Sequence, residues 1–193
     1  MAAASWDEVL EFWFGAPDSP EFGRPRAAWF TKSASFDALV RDRFLATHEA
    51  AASGALDAWA ARPLAALALA VVLDQLPRNM FRGTPRAFAA DARALAVARS
   101  VVAQGYDEVL LPVQRWFAYL PFEHAEDLAA QRESLRLFGG LAGDASGAGT
   151  LTYAMLHYAV IERFGRFPHR NAILGRESTP AELAFLAQPG SSF

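Results

Sequence analysis

With 193 residues, 53% of them hydrophobic and 20% charged, the chain is long enough for one domain with a full core, and its composition excludes intrinsic disorder. A net charge of −3 leaves no electrostatic footprint for general nucleic-acid binding. The absence of cysteine removes disulfides, thiolate nucleophiles and cysteine-ligated metals from consideration.

The punctuation along the chain is helical. Ser5 and Glu8 form a capping box for a first helix that Gly15 and Pro17 stop, with Trp6, Leu10, Trp13 and Phe14 on its apolar face. An irregular stretch with Pro17, Pro20, Gly23 and Pro25 leads to a short segment holding Trp29 and Phe30. Ser35 is placed to cap a second long helix, in which Phe36, Leu39, Val40 and Phe44 recur at helical spacing and which Gly54 ends. A short helix carries Trp59. Pro63 then opens an apolar helix to residue 76, Pro77 breaks it, and a compact loop over 77–84 holds Arg78, Asn79 and Arg82. Thr84 as cap and Pro85 as first helical residue start a helix that reaches about residue 104. Two short helices follow, parted by Pro112, the second ended by Pro121; Val113, Trp116 and Phe117 at helical spacing mark core. Residues 123–138 read as one helix, 139–149 as a flexible glycine-rich loop, and 150–164 as a nearly all-apolar, central helix. Thr179, Pro180 and Glu182 give a capping box for a last helix.

No alternating apolar–polar run bounded by turns survives this reading, so the chain is expected to be all-α: one domain over 1–193, built as an antiparallel helical array with no fixed repeat period. The most apolar run, 64–73, has about half of the roughly 20 residues a membrane span needs. No targeting segment is visible, and a soluble cytoplasmic protein is expected.

The most informative stretch is 163–176, where Arg163, Arg166, Arg170 and Arg176, with His169 and Asn171, sit among Phe164, Phe167, Ile173 and Leu174. A solvated loop does not need those apolar residues, and a core segment does not tolerate those cations unless carboxylates or a bound anion meet them. Helical phase adds polar groups that aim inward on three helices. With 123–138 taken as one helix, His124, Asp127 and Gln131 fall on the stripe of Leu128, Leu135 and Phe138, whereas Glu126 and Glu133 fall on the solvated side; Glu123 is borderline. Asp74 and Gln75 align with Leu64, Leu67, Ala68 and Val71, and His157 sits among Tyr153, Ala154, Tyr158 and Ile161. Unpartnered, each such group costs about 1–3 kcal/mol to bury.

These segments carry a resemblance. Leu73-Asp74-Gln75-Leu76-Pro77-Arg78-Asn79 with Phe81-Arg82-Gly83-Thr84, Tyr119-Leu120-Pro121-Phe122-Glu123-His124 with Glu126, Asp127 and Gln131, the arginine-rich stretch 163–176, and the opening Val9-Leu10-Glu11-Phe12-Trp13-Phe14-Gly15 resemble the bacterial domain-of-unknown-function family numbered 924. The resemblance spans nearly the whole chain. It implies a tetratricopeptide-like right-handed superhelix, of about eight to nine helices on the present reading, and it implies no activity.

Three functional readings stay open. In the first, Asp74, Glu123, Asp127 and Glu162 pair with Arg78, Arg82, Arg163, Arg166 and Arg170, and the polar motifs are ion-pair networks that fasten loops to helix ends. In the second, Arg78, Arg82, Arg166, Arg170 and Asn171 hold a small anionic molecule or a peptide carboxylate over a floor of His124, Asp127 and Gln131. In the third, His124 or His157 with Asp127 acts as a general base on an acidic substrate. The candidate site set is Asp74, Gln75, Arg78, Asn79, Arg82, Glu123, His124, Asp127, Gln131, His157, Arg163, Arg166, His169, Arg170 and Asn171. Neither a metal nor a cofactor is expected, because His-Glu-x-x-His, paired Glu-x-x-His motifs and a phosphate loop are missing, and the missing Gly-x-Ser-x-Gly speaks against serine–histidine chemistry. Nucleic acid and membrane are not expected partners.

Overall fold

A helix rich in leucine, valine and alanine around its whole circumference can satisfy itself only if it is covered on every side. Pro63–Met80 is such a helix. In the computed structural model, which describes residues 2–144, 147 and 149–191, every residue from 65 to 77 of this helix is buried. The others pack around it. In chain order they are α1 (Trp6–Phe14), α2 (Ala34–Ala52), α3 (Pro63–Met80), α4 (Asp91–Ala103), α5 (Pro112–Glu123), α6 (Leu128–Gly139), α7 (Thr150–Phe164) and α8 (Pro180–Leu186). Helices α1, α2, α4 and α5 all contact α3, and the array continues through α5–α6 and α6–α7. Five short 3-10 turns lie between these helices among the described residues, and no strand occurs there. No helix of the described residues is long and apolar enough to cross a membrane.

The predicted all-helical array holds, and several of its joints move. Pro77 and Pro121 do not end their helices: each sits in the last turn of α3 and α5. A proline removes one donor and crowds the preceding turn, at about 3 kcal/mol in a helix interior. In the last turn, the packing that buries both rings outweighs that cost. The consequence is a change of boundary. Helix α5 runs on to Glu123, the chain reverses over 124–127, and Asp127 caps α6 by accepting from the Ala130 N–H at 2.7 Å. Residues 123–138 are therefore not one helix. Pro85 opens only the turn Pro85–Ala87, and α4 begins at Asp91. The cap of α2 is Ser33, not Ser35. Residues 145, 146 and 148 of the glycine-rich loop lie outside the described residues.

Helix α7 is not central. It buries Ala154, His157, Val160 and Ile161 against its neighbours and exposes Tyr153, Met155 and Leu156. Its apolar composition is real, but α7 lies beyond α6 from the α3 hub, and only one of its faces finds a partner. The core proper is aromatic at the α1–α5 contact. The Phe117 ring meets Trp13, Phe14 and Trp29 at centroid distances of 5.6, 5.3 and 4.7 Å, all close to edge-on, the geometry that ring quadrupoles favour. Trp13 and Trp29 are thus core residues.

Phe117→Ala is expected to cost about 3–5 kcal/mol in denaturant unfolding. Val109→Ala, at a position 72% exposed, is expected to stay within about 0.5 kcal/mol. Equal effects would mean that this aromatic contact is not the packing centre.

Candidate functional site

Asp74 lies in the covered half of α3, where nothing apolar can satisfy a carboxylate. Its side chain is 1% exposed. Three groups converge on it: His124 Nδ1 at 2.9 Å from both oxygens, Gln75 Nε2 at 2.6 Å, and an Nη of Arg78 at 3.3 Å. Burial alone would raise the Asp74 pKa. The Arg78 guanidinium and His124 outweigh it and hold the group well below the usual carboxylate range. His124 is the C-cap of α5, so the Pro121 turn that carries the helix on to Glu123 also delivers this imidazole to α3. Burial, and then Arg78, lower the His124 pKa, so the ring is neutral near pH 7. With Nδ1 donating to Asp74, the neutral ring carries its lone pair on Nε2.

Arg78 extends the network. It donates to both oxygens of Asp91 at 3.0 and 3.1 Å, and also to the backbone carbonyl of Asp74. Asp91 opens α4 and also receives Arg170 at 3.3 Å. Arg170 comes from the turn Pro168–Arg170, and its guanidinium lies between two phenyl rings, 4.7 Å from the Phe88 centroid and 4.5 Å from that of Phe167. Its side chain is 7% exposed, and its Nε meets no acceptor among the described residues. Burial and the like charge of Arg78 push the Arg170 pKa down to about 10.

A second histidine–carboxylate pair sits beside the first. His157 Nδ1 donates to the Tyr153 carbonyl at 2.9 Å and lies 3.1 Å from the Glu123 carboxyl, both side chains nearly buried. The two imidazole rings are 6.2 Å apart. Burial and the nearby Asp74 push Glu123 up to about 8, while burial and then His124 push His157 down to about 3. At neutral pH this pair is an uncharged acid beside an uncharged base, not an ion pair. His169 flanks Phe167 at 5.6 Å, and burial followed by Arg170 lowers it to about 4. Asp74 and Asp91 then balance Arg78 and Arg170.

Of the residues singled out in the sequence, the structure brings together Asp74, Gln75, Arg78, Glu123, His124, His157 and Arg170, with His169 alongside. The others serve elsewhere. Asn79 and Arg82 bond Asp37 at the start of α2, at 2.8 Å and at 2.8 and 2.9 Å. Arg166 grips Glu182 of α8 at 2.7 and 2.9 Å. Asn171 pairs with Ser178 and Arg176. Arg163 lies over the Phe164 ring. Asp127 is a helix cap, not an inward-facing base, because α6 starts after it. Gln131 does point inward, but its amide donates to the carbonyls of Glu123 and Ala125 at 2.6 and 2.9 Å and closes the end of α5. The sequence reading missed Asp91 and Phe88, which it placed inside one continuous helix from Pro85. It also missed Glu126, which it placed on the solvated side. Glu126 accepts from the Phe167 N–H at 2.7 Å and from Arg176 at 2.6 and 2.9 Å. A single signal pointed to Glu126: it is an acid within the same motif as Glu123 and His124. Among the described residues, no group of three or more histidine or acidic side chains could hold a metal ion.

Two predictions follow from these partners. Glu126→Ala removes a backbone acceptor and the Arg176 pair and is expected to cost about 2 kcal/mol, whereas Glu133→Ala, at the exposed pair with Arg136, is expected to cost under about 1 kcal/mol. Equal melting losses would overturn the distinction. The second concerns pH. Between about pH 4.3 and 8 the folded state keeps a proton on Glu123 that the unfolded chain has lost, so this group's contribution falls as pH rises through that window. His157 acts in the opposite sense: the unfolded ring takes up a proton below about pH 6.5 that the folded ring refuses down to about 3, so stability also falls on the acid side. Glu123→Gln, which keeps the shape of the uncharged acid, is expected to flatten the alkaline fall and leave the acid fall in place. Parallel Tm–pH curves for the two proteins would refute the assignment.

The comparisons with known proteins agree with this architecture. The model of a family described as "Bacterial protein of unknown function (DUF924)" matches residues 9–190. A solved structure, that of the protein of unknown function ATU0120 from Agrobacterium tumefaciens, is 41% identical and superimposes with a TM-score of 0.83, over 94% of this chain and 96% of that chain. No curated protein matches. With the family model spanning all but the ends and the three polar motifs in order, this chain belongs to the DUF924 family of bacterial proteins.

Proposed function

We propose that the cluster at the C-terminal ends of α3 and α5 is a binding site for a small anionic molecule, a carboxylate or phosphate ester, anchored on Arg170. The observation that carries this reading is the state of that guanidinium. It is more than nine-tenths buried, it donates to Asp91 at a long 3.3 Å, and its enclosed Nε has no acceptor. A buried cationic donor left without a partner costs about 1–3 kcal/mol or more, and a bidentate oxyanion would satisfy Nε and the adjacent Nη together. Arg78 by contrast is fully engaged. Arg166 and Arg176 are already neutralised by carboxylates and Arg163 lies over the Phe164 ring, so the anion is met by Arg170 and not by an arginine-lined wall. The rim formed by Arg78, Asp91 and His124 keeps 14–19% exposure and supplies the way in.

A second reading concerns what happens to the bound molecule. Paired groups whose environments drive their pKa values apart are the mark of acid–base chemistry. Glu123 as a protonated acid, and His124 as a base oriented by Asp74, stand within one cluster. In this reading the anchored anion is a substrate and proton transfer is the reaction.

The test is a thermal-shift screen against small carboxylates and phosphate esters. A ligand present at about 100 times its dissociation constant adds near 2.7 kcal/mol of stability. A selective shift is expected in the native protein and is expected to be lost in Arg170→Gln. Arg170→Lys, which keeps the charge and loses the fork, should weaken it by about tenfold. A shift that survives both substitutions, or a screen with no hit, overturns the anchor.

A further inference from the structure

The unexplained charges of the molecule are not confined to the histidine cluster. Between the end of α4, the turn Tyr106–Val109, α5 and the end of α6 lies an opening of about 250 Å³ that shares no residue with the cluster. Its wall carries Asp107, Glu108, Arg115, Tyr119 and Arg136, with Leu137 among its apolar lining. By the volume that water occupies in the liquid, it holds roughly eight molecules, enough for a small metabolite but not for a peptide segment.

Asp107, Arg115, Tyr119 and Arg136 are each held in place. The Tyr119 side chain is buried, and its hydroxyl donates to Asp107 at 2.7 Å. Burial and the Asp107 carboxylate keep that phenol protonated far above its usual range, so it remains a donor that orients the acid. Arg115 is tied through Nε to the Leu110 carbonyl at 3.1 Å and through one Nη to the Glu108 carbonyl at 2.9 Å. Arg136 is committed to Glu133. Besides the exposed Glu108, two charges of the lining form no ion pair: Asp107, on which Arg136 acts only at longer range, has no cation within ion-pair distance among the described residues, and Arg115 has no carboxylate partner there. They line one opening, carry opposite signs, and have not closed on each other, because the Tyr119 hydroxyl holds one and two backbone carbonyls hold the other.

A bridging molecule satisfies both. We propose that this opening binds a small zwitterion, an α-amino acid or a compound with the same ammonium–carboxylate pair, its ammonium on Asp107 with Glu108 beside it and its carboxylate on Arg115. Val102, Leu137 and Leu141 leave an apolar wall for an aliphatic side chain. A doubly charged anion would meet Asp107 and Glu108 in repulsion, and a plain amine would leave Arg115 unmet. The charge pattern therefore selects against singly functional analogues, as a site that discriminates by unpaired charge does. This inference stands apart from the proposal for Arg170.

Titration calorimetry of the full chain with the standard L-amino acids, each to about 10 mM, tests it. At least one is expected to bind, while its amide, which lacks the carboxylate, and its deaminated acid, which lacks the ammonium, are not. Asp107→Asn keeps an acceptor for Tyr119 and is expected to weaken binding by about tenfold or more, the loss of one charge-assisted hydrogen bond. Glu108→Gln, at an exposed position, provides a second variant should Asp107→Asn not fold. Absence of binding across the panel, equal binding of the single-charge analogues, or unchanged affinity in the variant that folds would each refute the proposal. Loss of anion binding in Arg170→Gln would leave this opening's affinity as it was, which separates the two sites.

Discussion

The network that joins α3, α4, α5 and the segment after α7 traces back to one carboxylate on the helix that is buried on every side. Asp74 cannot turn to solvent, because α3 is enclosed by α1, α2, α4 and α5. Removing one partner from a buried charge typically costs 3–5 kcal/mol, more than the apolar packing of any single side chain around it returns. The fold therefore brings its partners to Asp74. The end of α5 delivers His124, the last turn of α3 delivers Arg78, and Arg78 in turn fixes Asp91 at the start of α4 and, through it, Arg170 from the 168–170 turn. A chain of hydrogen bonds from one buried acid thus sets the relative positions of α3, α4, α5 and the segment after α7.

The arginine-rich segment shows how a cationic loop becomes part of a core. Three of its four arginines are distributed over carboxylates on separate elements: Glu126 takes Arg176, Glu182 takes Arg166, and Asp91 takes Arg170, while Arg163 lies over the Phe164 ring. The first two pairs have two good contacts each, and the Arg166–Glu182 pair doubles as part of the capping box of α8. Such pairs contribute little net stability, but they specify where a loop without regular structure must lie. Arg170 differs. It gains two phenyl faces and half a carboxylate, and it is this imbalance, not the number of arginines, on which the proposed anion site rests.

Much of the fold was legible in the sequence. Capping boxes at Ser5 and Thr179, the first-position prolines 63, 112 and 180, and the glycine stop at Gly15 all act locally, and each works in the structure as it reads in the chain. The misplaced boundaries at Pro77 and Pro121 share one cause. A proline in the last turn of a helix and a proline just beyond it look alike in sequence, since both break the same hydrogen bond; packing around the ring decides between them. At Pro121 that choice moved a helix start by five residues, from 123 to 128, and the phase argument for Asp127 and Glu126 went with it. His157 and Asp74 survived because their helices begin where the sequence places them, at Thr150 and Pro63, and Gln131 survived because the shifted start left it on the same helix as Phe138.

By itself, the sequence determined that the chain is helical, that polar groups on three helices aim inward, and that the segment 163–176 must be buried with its cations met. These are properties of period, caps and composition, which need only neighbours within a turn or two. Which carboxylate meets which arginine was decided by the tertiary structure alone. So was the difference between α3 at the centre and α7 at the edge, and so was the presence of one guanidinium between two phenyl rings with an unmet N–H. Partners such as Arg170 and Asp91, 79 residues apart, are joined only by the way the helices pack, and no local rule of spacing carries that distance.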